Sequence, residues 1–154
     1  EGVRRRQQIR LKRESLLVIE DFGHHPTAVK ETLRSLKNRF PDHALWACFE
    51  PRSNTATMPV FEREWIASLS LSNRCWIGPV HRANLIPHER RLDTARVAES
   101  LVRDHGVGAS AHTVLEDMES NLYARLDADS TPKLVVFFTN GSFGGLIDRV
   151  VARY

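Results

Sequence analysis

Three short stretches of this 154-residue chain concentrate the side chains that can do chemistry. Asp21-Phe22-Gly23-His24-His25-Pro26 sets a carboxylate and two imidazoles between an apolar run and a helix start. A carboxylate there can accept hydrogen bonds from a ribose diol, with an imidazole stacking or hydrogen-bonding beside it. Asp21 can equally cap the helix and leave His24 and His25 as surface residues. Glu50-Pro51-Arg52-Ser53-Asn54-Thr55 offers the planar fork of Arg52, suited to a carboxylate or phosphate, followed by three small hydrogen-bonding side chains. The plainer reading is a polar turn in which Arg52 pairs with Glu50. Thr139-Asn140-Gly141-Ser142-Phe143-Gly144-Gly145 is glycine-rich and precedes a helix, so its backbone N–H groups could cradle an anion. It matches neither the dinucleotide glycine pattern nor a phosphate loop, and no Ser/His/Asp or Cys/His set stands at a known catalytic spacing. Adjacent histidines point differently and no further Cys/His cluster completes a set, so no metal site is expected.

The elements that must hold these loops are legible in the hydrophobic pattern. Residues 6–11 and 16–19 read as two strands joined by a polar turn over 12–15, the second a continuous apolar run of the buried kind and the first charged enough for an edge. Pro26 opens a helix over 27–39, with Val29, Leu33, Leu36 and Phe40 on one face. Residues 44–49 form an apolar strand, 61–69 a short amphipathic helix and 74–77 another strand. Residues 80–92 are basic and irregular, which predicts an exposed loop. A helix follows over 94–105 and stops at Gly106. Thr113 is expected to cap a further helix running to about Leu126. After a turn at 127–132 comes the most apolar strand, 134–138, and a terminal helix opening near Gly144. Strands alternating with helices imply an α/β fold, Rossmann-like, with a mostly parallel sheet, helices on both faces and an N-terminal antiparallel hairpin. In such a sheet ligands bind at the carboxyl ends of the strands, where all three polar loops fall.

The composition is that of one compact domain covering residues 1–154, with 42% hydrophobic residues. A net charge of +3 is too small, and its basic residues too scattered among nineteen acids, to make a nucleic-acid surface. No apolar run approaches the roughly 20 residues of a membrane helix, and Arg4-Arg5-Arg6 is not followed by an export signal. Cys48 and Cys75 sit inside strand-like runs as small hydrophobes, which fits a reduced, cytoplasmic setting.

Taken together and in this order, the three loops resemble the C-terminal domain of the Mur ligases. The resemblance covers nearly the whole chain. Gly2-Val3-Arg4-Arg5-Arg6 looks like the family's interdomain segment, and Asp21-Phe22-Gly23-His24-His25-Pro26-Thr27 like its aspartate-aromatic-small-His-His-Pro-Thr signature. The loops at Glu50 and Thr139 look like those of the branch that adds a murein tripeptide. Thr139 stands there for a serine and Ser142 for a glycine.

The resemblance implies an amide-forming reaction. ATP phosphorylates the lactyl carboxylate of UDP-N-acetylmuramate, and the amino group of L-Ala-γ-D-Glu-meso-diaminopimelate attacks the acyl phosphate. It further implies that Arg6 approaches the ATP phosphates, Asp21 the ribose, and His24 and His25 line that side. Phe22, Arg52, Ser53, Asn54, Thr55, Thr139, Asn140, Gly141, Ser142 and Phe143 would bind the peptide. The phosphate loop and the magnesium ligands would lie in a central domain, and the UDP-sugar site in an N-terminal one, both outside this chain, which alone would be inactive. A chain that opens on a hairpin is expected to continue upstream. Two other readings stand beside this one: the L-alanine-adding ligase, and a non-catalytic α/β module that binds a nucleotide or an anionic peptide.

Overall fold

A computed structural model describes residues 6–54 and 56–154; residues 1–5 and Thr55 lie outside the described residues. Six strands form one sheet in the order β1-β2-β6-β3-β4-β5. β1 (Gln8–Lys12) pairs antiparallel with β2 (Leu16–Asp21), and β6 (Lys133–Phe138), β3 (Ala44–Phe49), β4 (Arg74–Ile77) and β5 (Gly108–Ala111) continue it in parallel. The expected fold class is the observed one.

Alternation within the strands divides the core into two layers. Leu17 and Ile19 of β2, Ala47 and Phe49 of β3, and Val136 and Phe138 of β6 pack with Val29, Leu33 and Leu36 of α1 (Pro26–Arg39), Trp65 and Leu69 of α2 (Glu62–Leu69), and Val97 and Leu101 of α3 (Thr94–His105). Val18, Trp46, Cys48, Val135 and Phe137 face the other way. They meet Met118, Leu122 and Leu126 of α4 (Leu115–Ala128) and Leu146, Ile147 and Val150 of α5 (Leu146–Arg153). β2, β3 and β6 are covered on both sides, which is why they read as unbroken apolar runs.

Helices α1, α2 and α3 carry the chain from β2 to β3 to β4 to β5 along one layer. The chain then returns through α4 on the other layer to insert β6 between β2 and β3. That insertion puts the carboxyl ends of β2, β6 and β3 side by side, and with them the three polar loops.

Three expectations need correction. β5 is missing from the sequence reading because Gly-Ala-Ser-Ala carries neither a branched nor an aromatic side chain; it is an edge strand paired only to β4. Thr113 does not cap α4: Val114 occupies that position, with no side-chain cap bond. Asp21 does not cap α1, since His25 does, its ring nitrogen accepting from the Thr27 N–H at 3.3 Å. The segment 80–92 is the exposed loop expected, and holds two 3-10 turns, Ala83–Leu85 and His88–Arg90. α3 follows expectation, with Asp93 accepting from the Arg96 N–H (3.0 Å) and Gly106 ending it in the left-handed region.

Candidate functional site

The carboxyl end of β2 is organised by a buried carboxylate. Asp21 is wholly buried and its oxygens accept from the Gly23 N–H (2.7 Å), the Gln7 N–H (2.9 Å) and the Thr32 hydroxyl (3.3 Å). It therefore ties the strand preceding the loop, the loop itself and α1 together. The carboxylate expected to approach a ribose is thus engaged within the fold.

The two histidines that follow separate in role. His25 caps α1 and lies edge-on to Phe61, with ring centroids 5.2 Å apart. His24 turns the other way: its Nδ1 lies 3.1 Å from the Phe22 carbonyl, which can only accept, so Nδ1 carries the proton. Phe22 is partly exposed and meets the His24 ring edge-on at 5.5 Å. Arg6 is exposed ahead of β1.

His24 lines a depression of about 710 Å³ with Arg52, Ser53, Asn54 and Asn140. The loops after β2, β3 and β6 thus converge on one concavity. His24, expected on the nucleotide side, sits in the same hollow as Arg52, expected on the peptide side.

Among the described residues Arg52 has no carboxylate partner. Its Nη1 lies 3.0 Å from Nδ1 of His81, and because a guanidinium can only donate, the imidazole must accept. Burial, then Arg52, then Arg82 push the His81 pKa down, with Glu50 opposing, so the ring stays in the neutral form that this bond needs. Glu50 is committed elsewhere: its carboxylate accepts from the Thr139 hydroxyl, whose oxygen in turn accepts from the Gly141 N–H at 2.9 Å. The Arg52–Glu50 pair of the plainer sequence reading is therefore not formed.

Gly141 is where the Arg52 side chain crosses the third loop. A Cβ at residue 141 would stand 2.4 Å from Arg52 Nε and 2.6 Å from its Cδ, so only glycine allows the guanidinium to lie there. Asn140, beside it, has a buried Oδ1 with no hydrogen-bond partner among the described residues. Ser53 braces the arrangement, its hydroxyl donating to the His24 carbonyl (3.3 Å) and accepting from the Ala56 N–H (3.0 Å).

The rest of the third loop contributes less than expected. Gly141 N–H serves Thr139, and Gly145 N–H serves the Ser142 carbonyl at 3.0 Å, so these two donors are used by the loop itself. Ser142 is exposed and Thr139 buried. Phe143 is not a surface contact at all. It is fully buried against Phe137, with centroids 5.6 Å apart, in the α4–α5 layer. Its positive φ of 53° costs about 1–2 kcal/mol, which burial of a phenyl ring, worth roughly 1.5–3 kcal/mol, offsets. The sequence reading failed here because an aromatic in a glycine loop looks alike whether it points out or in.

His81, Arg82, Leu85 and Ile86 also line the depression and were not singled out in the sequence. The only signal was the length and basic character of their loop. A second hollow, of about 440 Å³, lies on the other side of that loop, between Pro79, Leu92, His112 and the start of α3. Its charges are mixed, and Arg96 there is already held by Glu62 at 2.9 Å. Among the described residues no three His, Cys, Asp or Glu side chains converge on one point. None of the described helices is long and apolar enough to cross a membrane.

No protein-family model matches the chain. It is 31% identical over 106 residues to a UDP-N-acetylmuramate–L-alanine ligase of Desulforapulum autotrophicum, a match covering 69% of this chain and 23% of the relative. To the ligase of the same name from Chromobacterium violaceum it is 30% identical over 139 residues, 90% of this chain and 29% of the relative. Among solved structures, a murein peptide ligase of Psychrobacter arcticus shares the fold with a TM-score of 0.76 at 24% identity, covering 97% of this chain and 29% of that one. The chain spans about a quarter to a third of the length of these proteins. With sequence relatives of one name aligned over most of its length and the fold shared nearly throughout, the chain belongs to the Mur ligase family.

Proposed function

We propose that this chain is the acceptor-binding domain of an ATP-dependent ligase that joins L-Ala-γ-D-Glu-meso-diaminopimelate to UDP-N-acetylmuramate, in recycling of cell-wall peptide. The observation that carries the reading is Arg52: a guanidinium lying across Gly141 in a concave site, with a neutral imidazole and, among the described residues, no carboxylate for a partner. Such a fork fits a substrate carboxylate. Ser53, Asn54 and Asn140 supply hydrogen-bonding groups around it, and the Asn140 Oδ1, without a partner among the described residues, suits a peptide N–H. Thr55 belongs to the same proposal by its place in the loop. Thr139, Gly141 and Phe143 support the site from behind, and Asp21 fixes the loop that carries His24.

This domain brings no acid or base to the reaction. Its work is positioning: holding the peptide amine against an acyl phosphate formed elsewhere, which can account for much of the rate. ATP, magnesium and UDP-N-acetylmuramate would be bound chiefly by the rest of a longer protein in the cytoplasm. Arg6 is the one residue here proposed to reach the ATP phosphates, with His25 on that side, while Phe22 belongs with the peptide-binding residues.

A second reading is favoured by the sequence relatives, which carry the name UDP-N-acetylmuramate–L-alanine ligase. The two readings differ in acceptor. Amide formation by the full-length ligase, assayed with the tripeptide and with L-alanine, separates them: preference for the tripeptide that Arg52→Ala abolishes supports the first, and preference for L-alanine establishes the second.

A further inference from the structure

The depression has a wall that the three polar loops do not supply. It comes from the segment between β4 and α3, where His81, Arg82, Leu85 and Ile86 line the same hollow as Arg52. That segment is fastened to the Arg52 loop twice, by the His81 N–H donating to the Pro51 carbonyl (2.8 Å) and by the Arg52 guanidinium donating to the His81 ring (3.0 Å). Two cations thus ride on two loops that are joined at His81.

None of the described residues lining the hollow is acidic. The Arg82 guanidinium forms no hydrogen bond or ion pair among the described residues, and the one acid that acts on His81, Glu50, is engaged by Thr139. Like charges left facing a concave surface cost energy unless an anion arrives to neutralise them. A single carboxylate can satisfy the fork of Arg52 alone. Leu85, mostly exposed, and Ile86 add an apolar strip beside the cations, where an aliphatic stretch can lie.

We infer that Arg82 is a second anion anchor of this site, so that the hollow selects an acceptor carrying two or more carboxylates joined by aliphatic spacers over an amino acid carrying one. The inference rests on the peptide-binding reading above and adds to it the residue that sets acceptor specificity. His81 is the positioning residue between the two anchors: neutral, it orients Arg52 without adding a third cation. The tripeptide, with three carboxylates and two aliphatic side-chain stretches, meets these requirements, and L-alanine does not.

The test uses the full-length ligase and measures KM for the tripeptide, for L-alanyl-D-glutamate, for L-alanine and for ATP. Arg82 has a φ of 56°, a conformation that suits glycine, so Arg82→Gly removes the side chain without straining the turn. Its thermal midpoint, compared with wild type, guards against a folding defect, and Arg82→Glu provides a charge-reversing second variant. We expect Arg82→Gly to raise KM for the tripeptide fivefold or more, Arg82→Glu to raise it further, and KM for ATP to stay within twofold of wild type. A tripeptide KM within twofold of wild type in both variants, with Arg52→Ala still impaired, overturns the inference and leaves the peptide reading standing. A wild-type enzyme that uses L-alanine and neither peptide refutes the peptide reading, and this inference with it.

Discussion

On the α4–α5 face Arg149 meets Glu119 at 2.9 Å and Arg153 meets Asp127 at 2.9 Å, while Arg10 of β1 reaches Glu20 at 2.6 Å and Asp148 at 2.5 Å. At the carboxyl edge of the sheet, by contrast, Arg52 has an imidazole for its partner and Arg82 has none among the described residues. Exposed arginines without partners are ordinary. Two arginines without an acidic partner among the described residues in one concave hollow, on loops pinned together, are not. The first group spends its charge inside the molecule, where it orders helices. The second keeps its charge for something that is not part of the chain. The difference teaches that a guanidinium's partner, more than its position in the sequence, separates structure from binding.

The largest expected effect tests Asp21, a buried acid at the loop edge that is satisfied internally. Asp21→Ala strands the Gly23 and Gln7 N–H groups and the Thr32 hydroxyl, and should lower stability by about 3 kcal/mol in urea unfolding. A loss under about 1 kcal/mol would mean that Asp21 is held for a ligand and not for the fold. Arg52→Ala should do the reverse. Stability should change by less than about 0.5 kcal/mol, while tripeptide affinity in the full-length ligase falls by about 2 kcal/mol, roughly thirtyfold in KM, the lower end for a half-exposed charge pair. Gly141→Ala pushes the guanidinium off its seat and should raise the same KM roughly tenfold, about 1.4 kcal/mol, with Arg52 itself intact. Were Gly141→Ala silent in KM, the crossing of Arg52 over the third loop would not be the binding geometry.

Much of this was legible from residue types alone. The apolar runs at β2, β3 and β6 and the 3.6-residue spacing of Val29, Leu33 and Leu36 are driven by burial and so appear in the pattern. The three loops were legible because special residues cluster where strands end. What could not be read were partners. Asp21 looked like a ligand or a cap, and only the fold brings Gln7 and Thr32 to its oxygens from 14 residues before and 11 after. Phe143 looked like a contact, and only the α4–α5 layer shows that it is core. His81 and Arg82 lay in a stretch without periodicity, so nothing local distinguished them from solvated loop residues. β5 was invisible because pairing to β4, and not side-chain propensity, makes it a strand.

The smallest expected effect examines the internally paired side of the comparison. Hydrogen bonds from Arg149 hold the Glu119 carboxyl below its ordinary range, partly against burial, and the Tyr123 hydroxyl also donates to it at 2.7 Å. A carboxylate whose folded pKa is depressed stabilises fully above its unfolded pKa, about 4.3, and that stabilisation is lost as pH falls through the lower folded value. Glu119→Gln keeps the shape and an acceptor for Tyr123 but removes the charge. It should cost about 0.5 kcal/mol at neutral pH, the size of a partly exposed pair, and the gap from wild type should close as pH drops below about 4. Urea unfolding of both chains across that range measures it, and peptide KM at neutral pH should not move. A gap that persists unchanged in acid would show that the geometry of the side chain, and not its charge, holds α4 to α5. A shift in KM would show that the two groups of arginines are coupled, and the division drawn between them would fail.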